Sequence, residues 1–421
     1  MNKFNELAIE GGTPTRSTPF PFWPHFGTEE IEAASSVLRS GRVNYWTGEE
    51  GRSFETEFAA LTHCKHAVAV ANGSVSLELA LYALGIQPGD DVVVTCRSFI
   101  ASAACIIMRG ATPIFADVDR DTQNITAESI RPVLSSHTKA IIAVHLAGWP
   151  CDMDSINAIA QEHGISVVED CAQAHGAEYK GRPVGSFGDI ASFSFCQDKT
   201  MSTGGEGGMV VTNQSILWER VWSFKDHGKN RRLMNEPNPS GAFRWVHDSI
   251  GTNLRLTELQ SAIGRVLVRK LPQSVEARRR NASMLTTELS TIPGLRVTRP
   301  GPDVYHSYYK YYAFVRPEAL ASGWNRDRIV EAIRAEGILC FTGVCSEIYL
   351  EKALAQHSLP RARFPVAKEL GETSLMFLVH PTLTGEDISD TCSAVRKVMM
   401  RAVRPSETAP MLASHAEDVT R

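Results

Sequence analysis

The chain has 421 residues, of which 43% are hydrophobic and 21% are charged, and this length predicts one large domain and a smaller one. The formal net charge of -4 does not favour nucleic acid or an anionic membrane as a partner. The nine cysteines are scattered and form no C-x-x-C pair, which argues against a disulfide framework and a metal site. No segment has the apolar length of a signal-peptide core or a membrane span, so we predict a cytoplasmic protein.

The amino-terminal half alternates between helical and strand patterns. A proline-rich arm over residues 1–27 comes first, and Thr28 can cap the first helix. In chain order, the apolar periodicity predicts helices at 28–41, 52–62, 74–84, 101–109, 127–134 and 153–163, and strands at 66–71, 91–96, 113–116, 140–145 and 165–168. This alternation predicts a largely parallel sheet covered by helices on both faces.

Two loops of this half have the composition of a ligand site. Gly73 and Ser74 connect a strand to a helix, where free backbone N–H groups and the positive end of the helix dipole can bind a phosphate. The alternative is that Ser74 only caps its helix. Phe99 follows the next strand and can stack on a planar cofactor ring, although such a phenylalanine can equally pack in the core.

Two later residues indicate a carbonyl cofactor. Asp170 follows the strand at 165–168, at the end where ligands of open α/β sheets bind, and Lys199 lies in a turn between apolar strands at 191–195 and 209–212. A lysine can hold pyridoxal phosphate (PLP) as a Schiff base, and an acid keeps the ring nitrogen of PLP protonated. Each residue alone also fits a plainer role, a solvated lysine or a helix cap, so the prediction depends on the pair.

The carboxy-terminal half has a different pattern. A helix at 216–224 leads to a polar loop at 228–246, and a long helix follows that we expect Pro272 to break or kink before about Leu289. From about Leu295 the pattern is α+β, with strands at 308–315 and 338–342 and helices at 327–336 and 387–400. We therefore predict a large domain at 28–270, a smaller domain at 271–403 and a disordered tail at 404–421.

A series of sequence blocks extends the pattern over most of the chain. In order they are GRVNYWTG, AVANGS, PIFADVD, AVHLAGWPCDMD, VVEDCAQAHGA, GSFGDIASFSF with Lys199 and GEGGMVVTN, TNLRLTELQSAIG and HPTLT. From about Thr28 to Val398, the chain resembles the DegT-type family of sugar aminotransferases, which are PLP enzymes of fold type I. The resemblance implies an α/β fold with a large PLP-binding domain, built on a mostly parallel mixed sheet, and a smaller α+β C-terminal domain.

The resemblance also implies a role for each matching residue. Lys199 would bond to the cofactor and move the substrate proton, Asp170 would pair with the ring nitrogen, and Gln173 would hydrogen-bond the ring hydroxyl. Gly73, Ser74 and Ser194 would hold the phosphate, and Phe99 would cover the ring. Members of the family are homodimers with shared active sites, and Asn253 matches the asparagine that reaches the partner subunit's cofactor.

The resemblance, together with these residues, leads to a functional hypothesis. We predict an aminotransferase that moves an amino group from glutamate or glutamine to a nucleotide-linked keto sugar, in the synthesis of an amino sugar. A keto-cyclitol substrate, a PLP-dependent dehydratase or lyase, and a non-catalytic PLP-binding regulator are the alternatives. A dehydratase branch of the family has histidine in place of the lysine, so the presence of Lys199 favours transamination.

Overall fold

The computed structural model describes residues 6–239, 241–357, 360 and 362–404. Its α-helices are α1 (Thr28–Ser40), α2 (Glu50–Leu61), α3 (Gly73–Ala83), α4 (Ala101–Met108), α5 (Ala127–Ile130), α6 (Met153–His163), α7 (Ser215–Lys225), α8 (Arg231–Asn235), α9 (Glu258–Leu289), α10 (Arg326–Ala335), α11 (Pro365–Thr373) and α12 (Gly385–Ala402). Its strands are β1 (His66–Val70), β2 (Asp91–Thr95), β3 (Thr112–Ala116), β4 (Thr138–Val144), β5 (Ser166–Asp170), β6 (Glu178–Tyr179), β7 (Arg182–Pro183), β8 (Ile190–Ser194), β9 (Gly208–Thr212), β10 (Leu295–Val297), β11 (Val304–Tyr305), β12 (Tyr311–Val315), β13 (Cys340–Phe341) and β14 (Ser374–Phe377).

The largest sheet has seven strands in the order β1-β9-β8-β5-β4-β2-β3. Only β9 runs antiparallel to its neighbours in this sheet, so the sheet is mixed and mostly parallel, as predicted. Residues 140–143 of β4 are completely buried, which is typical of a parallel strand covered on both faces. The strands β1, β2, β5 and β8 end at one edge of the sheet. This edge therefore carries Asp170, the last residue of β5, and receives the connections that carry Gly73, Phe99 and Lys199.

A second sheet, with the antiparallel order β10-β12-β14-β13, forms the smaller C-terminal unit together with α10 and α12. Strand β12 joins this unit to the larger core because its side chains alternate between two hydrophobic clusters. Tyr311 and Ala313 pack in the smaller cluster, whereas Tyr312 and Phe314 pack in the larger one. The residues just before β12 are therefore held between the two cores.

The amino-terminal arm packs against the smaller unit. Leu7 is completely buried in its hydrophobic cluster. Glu336 accepts hydrogen bonds from the backbone N–H groups of Ala8 and Thr15, at 2.8 and 2.9 Å. Arg16 lies 2.7 Å from Asp387, and both side chains are largely buried. These contacts fix the course of the arm toward the edge of the large sheet.

The structure corrects two predictions about helices. Thr28 is the first residue of α1, and Gly27 takes the cap position that was predicted for Thr28. The second correction concerns Pro272. Helix α9 is continuous from Glu258 to Leu289 and contains Pro272, so the predicted break is wrong, whereas the alternative of a kink stays a prediction. A proline removes one backbone hydrogen bond, and the packing of α9 against α1 and α2, with Leu271 and Val275 buried on either side of the proline, maintains the helix. The predicted domain boundary at residue 270 lies inside α9 and stays a prediction.

The polar loop predicted at 228–246 contains the short helix α8. The predicted tail, apart from Arg404, lies outside the described residues. Across the described ranges, the helices lack the combination of length and apolar character that a membrane crossing requires.

Candidate active site

Lys199 lies in the loop that follows β8, at the C-terminal edge of the large sheet. Its Nζ donates a hydrogen bond to Tyr309 Oη at 3.4 Å and lies 3.7 Å from Asp198 Oδ1. Its backbone carbonyl accepts a hydrogen bond of 2.9 Å from Trp23 Nε1, in the amino-terminal arm. The side chain is 17% exposed. The amine is thus held from two sides and is still open to a small molecule.

Tyr309 and Asp198 set the electrostatic environment of this amine. The Tyr309 hydroxyl donates a short hydrogen bond to Asp198 Oδ2. Burial, together with the negative charge of Asp198, raises the pKa of Tyr309 far above its usual range, so the phenol keeps its proton. The Tyr309 hydroxyl therefore donates a hydrogen bond to Asp198 and accepts one from Lys199. The sequence prediction did not include Tyr309, Asp198 or Trp23.

Asp170 is the last residue of β5 and is 4% exposed. Its Oδ2 accepts a hydrogen bond from Ser102 Oγ at 2.9 Å, and its Oδ1 accepts one from the backbone N–H of Ala172 at 3.1 Å. Burial raises the pKa of Asp170, while these hydrogen bonds and the positive charge of Lys199 oppose the shift. A cationic partner at this carboxyl would keep it ionised.

Glu169 braces the strand end that carries Asp170. The Cys151 backbone N–H donates to His145 Nδ1 at 2.9 Å, so the His145 ring proton is on Nε2 and is donated to Glu169 at 3.0 Å. The Glu169 carboxylate also accepts backbone N–H groups from the loop before β8, namely those of Gly185, Phe187 and Gly188, at 2.7–2.8 Å. Burial alone would raise the pKa of Glu169, but the hydrogen bond from His145 and those from the backbone lower it overall.

We expect Glu169→Gln to lower the free energy of unfolding by about 3–5 kcal/mol at pH 7, because the amide would place N–H groups against backbone donors in a buried site. The folded-state pKa of Glu169 lies below the usual glutamate value of 4.5. Its stabilising contribution is therefore present above that pH and is lost as the pH falls through the folded-state value. Urea unfolding at pH 7 and between pH 5 and 3 would measure both effects.

The difference in free energy of unfolding between wild type and the Gln variant should narrow as the pH falls, because only the wild type has a carboxylate at position 169 that becomes protonated. Glu331→Gln, at an exposed position of α10, serves as the control and should unfold like wild type. A gap of constant size over this pH range would contradict the assignment.

The turn before α3 and the end of β8 lie in direct contact. A Cβ on Gly73 would stand 2.5 Å from Ser194 Cβ, so glycine is required there. Asn72 caps the helix by accepting the Val75 N–H at 3.0 Å, and Ser74 is exposed at the first turn. This geometry presents the N-terminal end of α3, the Ser74 hydroxyl and the Ser194 hydroxyl at one place.

The remaining predicted residues differ in exposure. Gln173 is half-buried, and its Oε1 accepts the Ala147 N–H at 2.9 Å, which leaves the amide nitrogen as the donor on its other side. Phe99 is 64% exposed in the loop between β2 and α4. Asn253 is also exposed, next to Leu254, whose carbonyl accepts the Ala71 N–H at the end of β1.

The residues present fit PLP by their chemistry. An accessible amine can bond to the aldehyde, and a buried carboxyl can face a ring nitrogen. A helix N-terminus with two hydroxyls can accept a phosphate, and an exposed aromatic ring can cover a planar group. In this assignment Lys199, Asp170, Gln173, Phe99, Gly73, Ser74 and Ser194 would hold the cofactor within one chain.

Comparison with known proteins gives consistent results over nearly the whole chain. Residues 24–396 match the model of the DegT/DnrJ/EryC1/StrS aminotransferase family. The chain is similar to the solved structure of the aminotransferase from Psychrobacter cryohalolentis, with 50% identity, a TM-score of 0.88, and coverage of 91% of this chain and 99% of that chain.

Two curated relatives have named substrates. The chain is 36% identical to the UDP-N-acetyl-3-dehydro-α-D-glucosamine 3-aminotransferase of Acidithiobacillus ferrooxidans, over 85% of this chain and 90% of the relative. It is 34% identical to the L-glutamine:2-deoxy-scyllo-inosose aminotransferase of Streptoalloteichus tenebrarius, over 93% of this chain and 97% of the relative. The structural likeness confirms the predicted fold class.

Proposed function

The chain belongs to the DegT/DnrJ/EryC1/StrS aminotransferase family and is a PLP-dependent aminotransferase. On this premise, we propose that it transfers an amino group from glutamate or glutamine to a nucleotide-linked keto sugar. The observation that carries the proposal is the placement of the Lys199 amine and the buried Asp170 carboxyl at one edge of the sheet. The relative that acts on a UDP-linked sugar supports the substrate class.

Each residue of the site has a task in this reaction. Bound PLP supplies a sink for the electron pair released when a proton leaves the substrate carbon. Lys199 Nζ would take that proton and return it, and the hydrogen bond to Tyr309 aims the amine. Asp170 would keep the cofactor's ring nitrogen protonated through its negative charge. Gln173 would donate to the ring hydroxyl, and the N-terminus of α3 with its two neighbouring serines would hold the phosphate.

The proposal extends to assembly and location. Phe243, Trp245 and Ile250 are 80–89% exposed on the segment that leads to Asn253, and a second copy of the chain would cover such apolar side chains. We therefore propose a homodimer in which Asn253 reaches the partner's site, with sedimentation velocity as its test. All nine cysteines are free, which supports a reducing compartment such as the cytoplasm.

The function is tested by absorption spectra of the PLP-loaded protein. Glutamate or glutamine is expected to convert the visible band into the near-ultraviolet band of pyridoxamine phosphate, and a nucleotide-linked keto sugar should then restore the visible band. Restoration by a keto-cyclitol alone would favour the second candidate, which the cyclitol-acting relative supports. A bound cofactor that no amino donor converts would contradict transamination and favour the lyase or regulator.

A further inference from the structure

A second amine lies beside Lys199. Lys310, which immediately precedes β12, places its Nζ 3.8 Å from Asp198 Oδ2, and Lys199 Nζ lies 3.7 Å from Asp198 Oδ1. The two amines are 4.7 and 4.8 Å from the centre of the same Tyr309 ring. Both side chains are 17% exposed. Lys310 therefore belongs to the inner part of the site and is not a solvated surface lysine.

The local charge is unbalanced in favour of cations. Arg278 is buried near Asp198, and its Nη1 donates to the Tyr309 carbonyl at 3.1 Å, but its Nε and Nη2 have no hydrogen-bond partner among the described residues. Asp198 thus faces Lys199, Lys310 and Arg278. The Asp170 carboxyl also feels the charge of Lys199, so two carboxyls stand against three cations. A net positive charge remains, and this part of the site therefore favours an incoming anion.

Lys310 is free to bind that anion. Its separation from Asp198 exceeds hydrogen-bond length, and Asp198 already accepts the Tyr309 proton. Burial lowers the pKa of Lys310 to about 8; Asp198 opposes this shift, and Arg278 and Lys199 add to it. At neutral pH the amine is largely charged and keeps unused donor capacity.

We propose that Lys310 binds the α-carboxylate of the amino donor, an inference that depends on the proposed aminotransferase function. The carbon that loses its proton must come within about 3–3.5 Å of Lys199 Nζ, and the α-carboxylate is bonded directly to that carbon. An anionic group so close to Lys199 falls within reach of Lys310. The phosphates of a nucleotide sugar are separated from the reacting carbon by part of the sugar ring, so they fit this position less well.

The test uses the PLP-loaded enzyme and treats each half-reaction separately. Lys310→Met should raise the glutamate or glutamine concentration for half-maximal conversion about 10- to 100-fold, because a charged hydrogen bond is lost. The half-saturating concentration of keto sugar should stay within about 2-fold. Lys310→Arg should retain most of the donor affinity, and Lys310→Gln provides a polar neutral variant should the Met variant fold poorly. Lys139→Met, at an exposed position of β4, is the matched control.

Binding and pH provide readouts independent of turnover. Calorimetry with α-methylglutamate, which keeps the carboxylates and lacks the α-proton, should show the same loss of affinity in Lys310→Met. Donor affinity of the wild type should fall above pH 8, where Lys310 loses its charge, and the Arg variant should not show this fall.

The other groups that face Lys310 do not explain why donor affinity would depend on pH in the wild type and not in the Lys310→Arg variant. Asp198, Lys199, Arg278 and Tyr309 are common to every variant. Burial lowers the pKa of His380 to about 3, so it is neutral throughout this pH range.

The outcomes separate this inference from the function on which it depends. If wild type responds to an amino donor and Lys310→Met responds at the same concentrations, Lys310 is not the carboxylate site. A loss of sugar affinity with donor affinity unchanged would assign Lys310 to the nucleotide phosphates instead. An equal loss of both affinities would indicate a general defect of the site, and either result would overturn the assignment. If no amino donor converts the wild-type cofactor, the proposed function fails and the inference fails with it.

Discussion

Lys199→Ala is expected to lower the rate of transamination by about 10³-fold or more, because it removes the group that moves the substrate proton. The visible absorption band of the PLP-loaded protein should shift toward that of free PLP, since the bond to the amine cannot form. Without the cofactor, the melting temperature should change by less than about 2 °C, because among the described residues the amine contacts Tyr309, through a 3.4 Å hydrogen bond and the ring, and lies 3.7 Å from Asp198.

Chemical rescue distinguishes loss of the amine from loss of structure. Methylamine can enter the space that the alanine leaves and replace the missing base, so part of the lost rate should return with added amine. Lys139→Ala, at an exposed position far from the edge of the sheet where the site lies, should behave like wild type with or without methylamine. An active Lys199→Ala enzyme that is indifferent to methylamine would rule out Lys199 as the base.

Asp170→Asn is expected to lower kcat by about 10²- to 10³-fold, because asparagine keeps the size of the side chain and removes its charge. An asparagine can still accept the hydrogen bond from Ser102 or Ala172, so the strand end should keep its geometry. Without a carboxylate, the ring nitrogen of the cofactor is no longer held in its protonated form. Steady-state rates and the absorption spectrum of the bound cofactor measure the effect.

Two further variants check that the charge itself is responsible. Ser102→Ala removes one hydrogen bond and leaves the carboxylate, so its loss of kcat should be below about 10-fold. Asp154→Asn removes an exposed carboxylate paired with Lys180 and should leave kcat unchanged. Normal turnover by Asp170→Asn would contradict the pairing of Asp170 with the ring nitrogen.

The sequence predicted the parts of the protein that depend on local patterns. Buried parallel strands such as β4 are continuous apolar runs, and turns after them carry distinctive residues, so the sheet and the positions of Asp170 and Lys199 could be read from the chain. The predicted break at Pro272 is wrong because tertiary packing along α9 outweighs the loss of one backbone hydrogen bond.

The surroundings of Lys199 could not be predicted in the same way. Tyr309 is 110 positions from Lys199, and Trp23 is 176 positions from it. Neither residue belongs to a local pattern that points to a lysine. Their contacts arise because β12 lies between two cores and because the arm returns to the sheet edge, and both are consequences of the whole fold.

The amino-terminal arm has a practical consequence for work with this enzyme. Within sixteen positions it passes from Leu7, buried in the smaller unit, to Trp23, whose indole holds the Lys199 carbonyl. An affinity tag or a shortened amino end that dislodges Leu7 or Arg16 would therefore disturb the reactive lysine from a distance. Variants that keep residues 7–23 unchanged avoid confusing a displaced arm with a catalytic defect.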